Sequence, residues 1–288
     1  MEPDGLYRPV DLEGFDFTFT GGVGTLVINR TDKRNAISRA MWRALPEIIA
    51  SVDADDSIGA LVITGAGGHF SAGSDIADLD VPIADFWELN STAEAAVADA
   101  RTPTIAAIEG NCVGGGTEIA AACDIRIAAP GSVFGVTAAK LGLVYPPGPT
   151  QRLARVLGDA WARYLLITAS IMGFETMERL GFFHEVSGTP AEAAQALGER
   201  IAGLSRLSQI GATAILGGHA PGGATSAGLD VSADTAAGDG ADDAGGTADG
   251  APPEWLDAAY RAEIARGQEA FFAKRPPAFG FAKSAWQG

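Results

Sequence analysis

Val113-Gly114-Gly115-Gly116-Thr117-Glu118 stands between an apolar, strand-like run and the helix-like run Ile119–Cys123. Three consecutive glycines let backbone N–H groups approach a ligand with no Cβ in the way. They stand where a helix begins, so the first N–H groups lack partners within the helix and the dipole favours negative charge. An oxyanion is stabilised at such a place, and Glu118 can move a proton beside it. The same residues also suit a tight strand-to-helix turn with a solvated glutamate, and the motif by itself leaves both readings open.

Outward from the glycines, strand and helix patterns alternate. Gly24–Asn29, Ala60–Thr64, Pro103–Ile108 and Asp124–Ala128 are short apolar or β-branched runs bounded by turn residues, the pattern of buried strands. Ser38 suits the N-cap of a helix carrying Met41, Leu45, Ile48 and Ile49 near helical spacing. The alternation predicts an α/β architecture. After Thr150 the pattern is mostly helical: Gln151–Leu157, Ala160–Thr168, Glu175–Leu180 and Ala191–Ser208. From about Gly217 to Pro253 the chain is Gly, Ala, Ser, Thr and Asp with hardly a large apolar residue. Such a stretch cannot bury enough apolar surface to offset its ordering entropy, and it is expected to be a disordered loop. Its aspartates lack the ligand periodicity and closing glutamate of a calcium loop, so no metal is expected there. Helical pattern resumes at Trp255 and runs to Lys274, where Pro276 and Pro277 follow. The expected organisation is a core over 1–210, a low-complexity loop over 211–254 and a helical region over 255–288.

The chain has 288 residues, 47% of them hydrophobic, enough for one large core with an appendage. Met1–Val10 carries Glu2 and Asp4 without a basic-then-apolar signal pattern, and no apolar run is long enough to span a membrane. The two cysteines, Cys112 and Cys123, sit in apolar surroundings, which argues against a disulfide scaffold and for a reducing cytoplasm. A net charge of −16 argues against nucleic acid, whose phosphates need Lys and Arg. Any phosphate contact must come from a local basic tract, and Arg30, Lys33 and Arg34 form one, though an ordinary solvated loop has the same composition.

Together, four segments resemble the crotonase superfamily, the enoyl-CoA hydratase/isomerase family. They are Ile28-Asn-Arg-Thr-Asp-Lys-Arg-Asn-Ala-Ile-Ser38, Phe70-Ser-Ala-Gly-Ser-Asp-Ile76, Ile105 through Ala120 with the glycine run, and Phe134 through Leu153. The resemblance covers most of 15–210, and Glu269–Phe279 is similar to the family's C-terminal end. It implies a crotonase-like ββα spiral core with a C-terminal helical trimerisation region, giving a homotrimer or a dimer of trimers. It implies an acyl-CoA thioester as substrate, with coenzyme A present only as part of that substrate and no other cofactor. The two N–H groups that polarise the thioester carbonyl map onto Ala72 and Gly115, with Gly114 beside the latter. Nucleotide contacts map onto Arg34, Ala36, Ser74, Asp75 and Ile76. Phe271 and Lys274 are expected to reach the ligand of a neighbouring subunit, although Phe271 also suits plain core packing.

Departures from the family pattern concern the chemistry. Its hydratases place a second carboxylate after Phe-Gly-x-Pro, and here Phe134-Gly-Val-Thr leads to Ala138, which cannot transfer a proton. The family's glycine-rich run is replaced by Tyr145-Pro-Pro-Gly-Pro-Thr-Gln151, whose prolines remove N–H donors. Tyr145 brings a hydroxyl that suits either the pocket or simple packing. Asp80, Asp85 and Glu88, read as a loop after Ile76, are the acids available to replace the missing one. His69 and His184 read as surface and strand-end residues, and Glu109 as facing away from the pocket. Three readings follow: an enolate-forming enzyme with one carboxylate (isomerase, decarboxylase or C–C bond chemistry), a hydratase with a relocated acid, and a non-catalytic acyl-CoA binder. The first is preferred because Glu118 and both N–H-bearing segments are intact.

Overall fold

A computed structural model describes residues 12–217 and 253–287. Most of the stretch expected to be low-complexity, residues 218–252, therefore lies outside the described residues, as does Met1–Val10. The chain divides into two compact units between Ala202 and Gly203.

In the first unit the elements run β1 (Phe15–Thr20), β2 (Val23–Ile28), α1 (Arg39–Ala54), β3 (Ala60–Gly65), α2 (Ile83–Ala98), β4 (Thr104–Ile108), β5 (Asn111–Val113) and α3 (Gly115–Ala122). There follow β6 (Ile125–Ala128), β7 (Val133–Gly135), α4 (Ala138–Leu141), α5 (Pro147–Leu157), α6 (Asp159–Thr168), β8 (Ile171–Gly173), α7 (Phe174–Arg179), β9 (Glu185–Val186) and α8 (Pro190–Ala202). The larger sheet has the order β1-β2-β3-β4-β6-β9, antiparallel at β1/β2 and parallel beyond. The smaller sheet is β5-β7-β8, and its ladder is extended by single bridges, Ser71 with Cys112 and Ile37 with Ser74. Each turn of the chain thus adds a strand to the large sheet, an extended segment to the small ladder and a helix outside them. This is a ββα spiral.

The strands are buried on both faces because each alternates two apolar sets. Leu61, Ile63, Ala106 and Ile108 belong to the core that includes Met41, Leu45, Ile48 and Ile119. Ala60, Val62, Ile105 and Ala107 face the other way and pack with Ala194 and Ile201 of α8. Ser38 caps α1 by accepting from the Met41 N–H at 3.2 Å. Asp85 and Glu88, expected in a loop, are on α2. The single helix expected over Ala191–Ser208 is two, because Gly203-Leu204-Ser205 interrupts it and α9 (Arg206–Leu216) begins afresh, reaching past the boundary expected at 210.

The second unit pairs α9 with α10 (Glu254–Phe272). Its buried polar centre is Glu263, which accepts from Ser205 Oγ at 2.7 Å, Arg266 Nη1 at 2.8 Å and the Gly280 N–H at 3.0 Å. Phe271 and Phe272 are 78% and 79% exposed, so Phe271 is not a core residue of this unit. No described helix is long and apolar enough to cross a membrane.

Asn35 locks the loop between β2 and α1. It sits at φ 59°, fully buried, donates from Nδ2 to the Ala66 and His69 carbonyls at 2.7 and 2.6 Å, and accepts the Arg30 N–H at 3.1 Å. Alanine would leave these buried groups unpaired in a strained backbone. Asn35→Ala is expected to cost about 2–4 kcal/mol of stability, read from the urea midpoint at unchanged m-value.

Candidate active site

Two loops meet at the start of α3 as bare backbone. Gly73 has φ +92°, and a Cβ on it would stand 2.8 Å from the Val113 carbonyl oxygen and 3.0 Å from the Gly115 nitrogen. Gly114 has φ 56° and ψ −123°, a conformation open to glycine alone. On Gly115 a Cβ would stand 2.6 Å from the Trp42 indole and 3.4 Å from the Ser74 nitrogen. The Ser74 and Gly115 N–H groups are therefore neighbours. Gly115 opens α3, and neither amide has an acceptor among the described residues.

Here the expectation for Ala72 is corrected. Its N–H donates to the Arg34 carbonyl at 3.0 Å and is not available to a ligand. The cause is strand alternation. Around the Ile37–Ser74 bridge, the Gly73 carbonyl and the Asp75 N–H pair with Ile37, at 2.8 Å each. Ser74's own N–H then points away from Ile37. The Ser74 side chain is held too: Oγ accepts from Trp42 Nε1 at 3.1 Å and donates to Asn90 Oδ1 at 3.4 Å.

Glu118 lies in the first turn of α3 and is 4% exposed. Its Oε2 accepts from Tyr145 Oη at 3.0 Å, while Oε1 is buried with no partner among the described residues. Burial holds the carboxyl well above the usual carboxylate range; the Tyr145 hydrogen bond lowers it and the charge of Glu94 raises it further. Burial and the Glu118 charge push the Tyr145 phenol up, so it stays protonated and donates. Tyr145 and Leu143 of the same loop both line the pocket.

A cavity of about 70 Å³ is lined by Ala72, Ser74, Gly114, Gly115, Ala138 and Tyr145 among others, with no carboxylate on its wall. Ala138 stands at the first residue of α4. A larger space of about 470 Å³ shares Ser74, Leu79 and Phe86 with it and carries Asp85 and Glu88; Asp80 lines neither. The sequence reading missed a buried acid on α2. Glu94 is 2% exposed, ion-paired with Arg152 of α5, and close enough to Glu118 to affect its charge. An acid among Ala93, Ala95 and Ala96 on the buried helix face was the available signal.

The remaining expected residues fall into two places. Arg34, at φ 50°, is exposed, and Ala36 is buried with its carbonyl accepting from Arg30 Nη1 at 2.7 Å. Asp75 pairs with Arg30 at 3.0 Å; burial pushes its carboxyl up, but the Ala77 N–H and Arg30 together bring it below the usual value. Asp75 is thus a loop brace, and Ile76 beside it is 67% exposed. Phe271 and Lys274 belong to the second unit and are exposed there. His69 and His184 each accept a backbone N–H, of Asn111 at 3.2 Å and Arg126 at 3.0 Å, and so tie strand segments together. Both cysteines are buried and free, and burial pushes the Cys123 thiol up to about 12 and the Cys112 thiol higher still, which disqualifies either as a nucleophile.

A profile described as enoyl-CoA hydratase/isomerase matches residues 18–223. The chain belongs to the enoyl-CoA hydratase/isomerase family. It is similar to the "Probable enoyl-CoA hydratase echA8" of Mycobacterium bovis, 37% identical over 67% of this chain and 74% of that protein. It is similar also to the peroxisomal Delta(3,5)-Delta(2,4)-dienoyl-CoA isomerase of Arabidopsis thaliana, 30% identical over 66% and 76%. Among solved structures, the enoyl-CoA hydratase/carnithine racemase of Magnetospirillum magneticum superposes with a TM-score of 0.75 at 29% identity, covering 94% of this chain and 96% of that one. The spiral is therefore the crotonase fold, and the protein is an enzyme of this family acting on acyl-CoA thioesters.

Tyr145 sets the proton balance of this site. Its hydrogen bond favours the Glu118 carboxylate, so removing it must raise the pH at which Glu118 ionises. In Tyr145→Phe, the infrared carboxylic C=O band of Glu118 (assigned by its loss in Glu118→Gln) is expected to persist to higher pH than in the unmodified protein.

Proposed function

We propose that the protein forms a thioester enolate between the Ser74 and Gly115 N–H groups and uses Glu118 as its single acid/base, with double-bond isomerisation the reaction best supported. The observation that carries this reading is the cavity wall, which has Ala138 and no carboxylate on it, with the buried Glu118 joined to it through the Tyr145 hydrogen bond. Preorganised N–H groups in a water-poor site stabilise charge that develops on the thioester oxygen. The free Oε1 of Glu118 takes the α-proton of a 3-enoyl thioester. The C–H electrons pass into the carbonyl as a dienolate. Glu118 returns the same proton at C4, and the double bond comes to rest between C2 and C3. Tyr145 keeps Oε2 occupied, so one oxygen carries the proton throughout. Decarboxylation or C–C bond formation would use the same enolate.

For the nucleotide, we propose Arg34 and Lys33 as phosphate partners with Ala36, Ser74 and Ile76 beside them, and coenzyme A as part of the substrate with no separate cofactor. Exposed Phe271, Phe272 and Ile264 in the second unit suit burial between subunits, so a homotrimer or dimer of trimers is proposed, with Phe271 and Lys274 offered to a neighbour. Two buried free thiols fit a cytoplasmic setting. Efficient hydration with a relocated acid is the second reading, favoured by the hydratase names among relatives and by Asp85 and Glu88 in the adjoining space.

A paired assay separates the two. A 3-enoyl-CoA should be isomerised, while crotonyl-CoA hydration should run at least a hundredfold below a typical enzyme rate of about 10 per second. Hydration at that typical rate would mean that a second acid is present and the isomerase reading is wrong.

A further inference from the structure

Behind Glu118 lies a charged pair that does not touch the cavity. Glu94 projects from α2 and Arg152 from α5, and their side chains are ion-paired at Oε1 and Nε. Helices α2, α3 and α5 are mutually packed. Glu94 lies beneath the start of α5: a Cβ on Gly148 would stand 4.0 Å from its Oε2. That helix start carries Tyr145 two residues before Pro147. Arg155 and Asp99 complete the charges that act on Glu94, the former from α5 and the latter from the end of α2. On its far side, Glu94 acts on both Glu118 and Tyr145.

We propose that Glu94 is a positioning residue for the Glu118–Tyr145 pair: Arg152 fixes its charge beside α3, where it sets how readily Glu118 takes and gives up a proton. This rests on reading Glu118 as the proton-moving group. A buried carboxylate next to Glu118 favours the form of Glu118 that carries a proton. Burial raises the Glu94 carboxyl above its usual range, and the Arg152 guanidinium opposes that rise and favours the charged form. A base held too weakly protonated would not return its proton along the acyl chain, and Glu94 counters this without occupying the cavity.

Two variants break the same ion pair but differ in what remains. Glu94→Gln removes the negative charge and leaves Arg152. Arg152→Met leaves Glu94. Carbon-13 NMR titration of Glu118 in the full-length, ligand-free protein, with the resonance assigned by Glu118→Gln, reads the midpoint directly. Glu94→Gln should lower that midpoint on the order of one pH unit, a tenfold change in proton affinity. Arg152→Met leaves buried Glu94 without the guanidinium that favours its charge, so it should lower the midpoint as well, by no more than Glu94→Gln does. Arg152→Lys keeps a cation beside Glu94 and should keep the midpoint of the unmodified protein. Equal midpoints in Glu94→Gln and the unmodified protein, or a fall in Arg152→Lys as large as that in Glu94→Gln, would overturn the proposal and leave the pair a packing element. The titration needs no substrate, so a protein that isomerises nothing would refute the functional reading without deciding this one.

Discussion

Gly73 lies so close to the Val113 carbonyl and the Gly115 nitrogen that it can carry no side chain, and the Trp42 indole leaves no room for one on Gly115. The contact is backbone on backbone, with Trp42 closing the space below Gly115. Its consequence is directional. The turn at Gly114 aims the first N–H of α3 at the gap, and the bridge between Ile37 and Ser74 turns the Ser74 N–H toward the same gap. Because both donors are main-chain groups held by a ladder and a helix, they need little reorganisation when charge develops in front of them. The spiral serves this end. It stacks the extended segments at Ile37, Ser74 and Cys112 so that successive loops open on one side of the small ladder.

The same packing sets the chemistry of Glu118. A carboxylate taken from water into a nearly closed site is disfavoured, and one hydrogen bond from Tyr145 offsets only part of that cost. Glu118 is therefore poised to hold a proton far above the range of an exposed glutamate, as a group that must both accept and return one requires. The prolines around Tyr145 serve the same arrangement. Pro146 and Pro147 stiffen the lead into α5, and Pro147 occupies a helix position that needs no N–H donor. What reads in the sequence as a damaged glycine loop is a rigid mount for a phenol.

Much of this was legible from residues alone. The buried strands announce themselves by short β-branched runs, and Glu118 by its place after three glycines at a helix start. The donor on the second loop was misplaced from Ser74 to Ala72 because alternate amides of an extended segment point opposite ways, and register is a tertiary property. Helix α2 was missed because its apolar residues are weakly patterned and it begins after Pro82 without a side-chain cap. Glu94 was passed over for a related reason: a carboxylate among alanines is a weak signal until Arg152, far along the chain, is seen to pair with it.

The central claim is that a 3-enoyl-CoA loses its α-proton in this site to Glu118. Incubation of 3-hexenoyl-CoA with the protein, followed by the absorbance of the conjugated 2-enoyl thioester, tests it most directly. The conjugated product should form with the unmodified protein and be absent with Glu118→Gln, while calorimetry shows the variant still binding the ligand. Formation at an equal rate in Glu118→Gln, or none in an unmodified protein that binds 3-hexenoyl-CoA, would contradict the account.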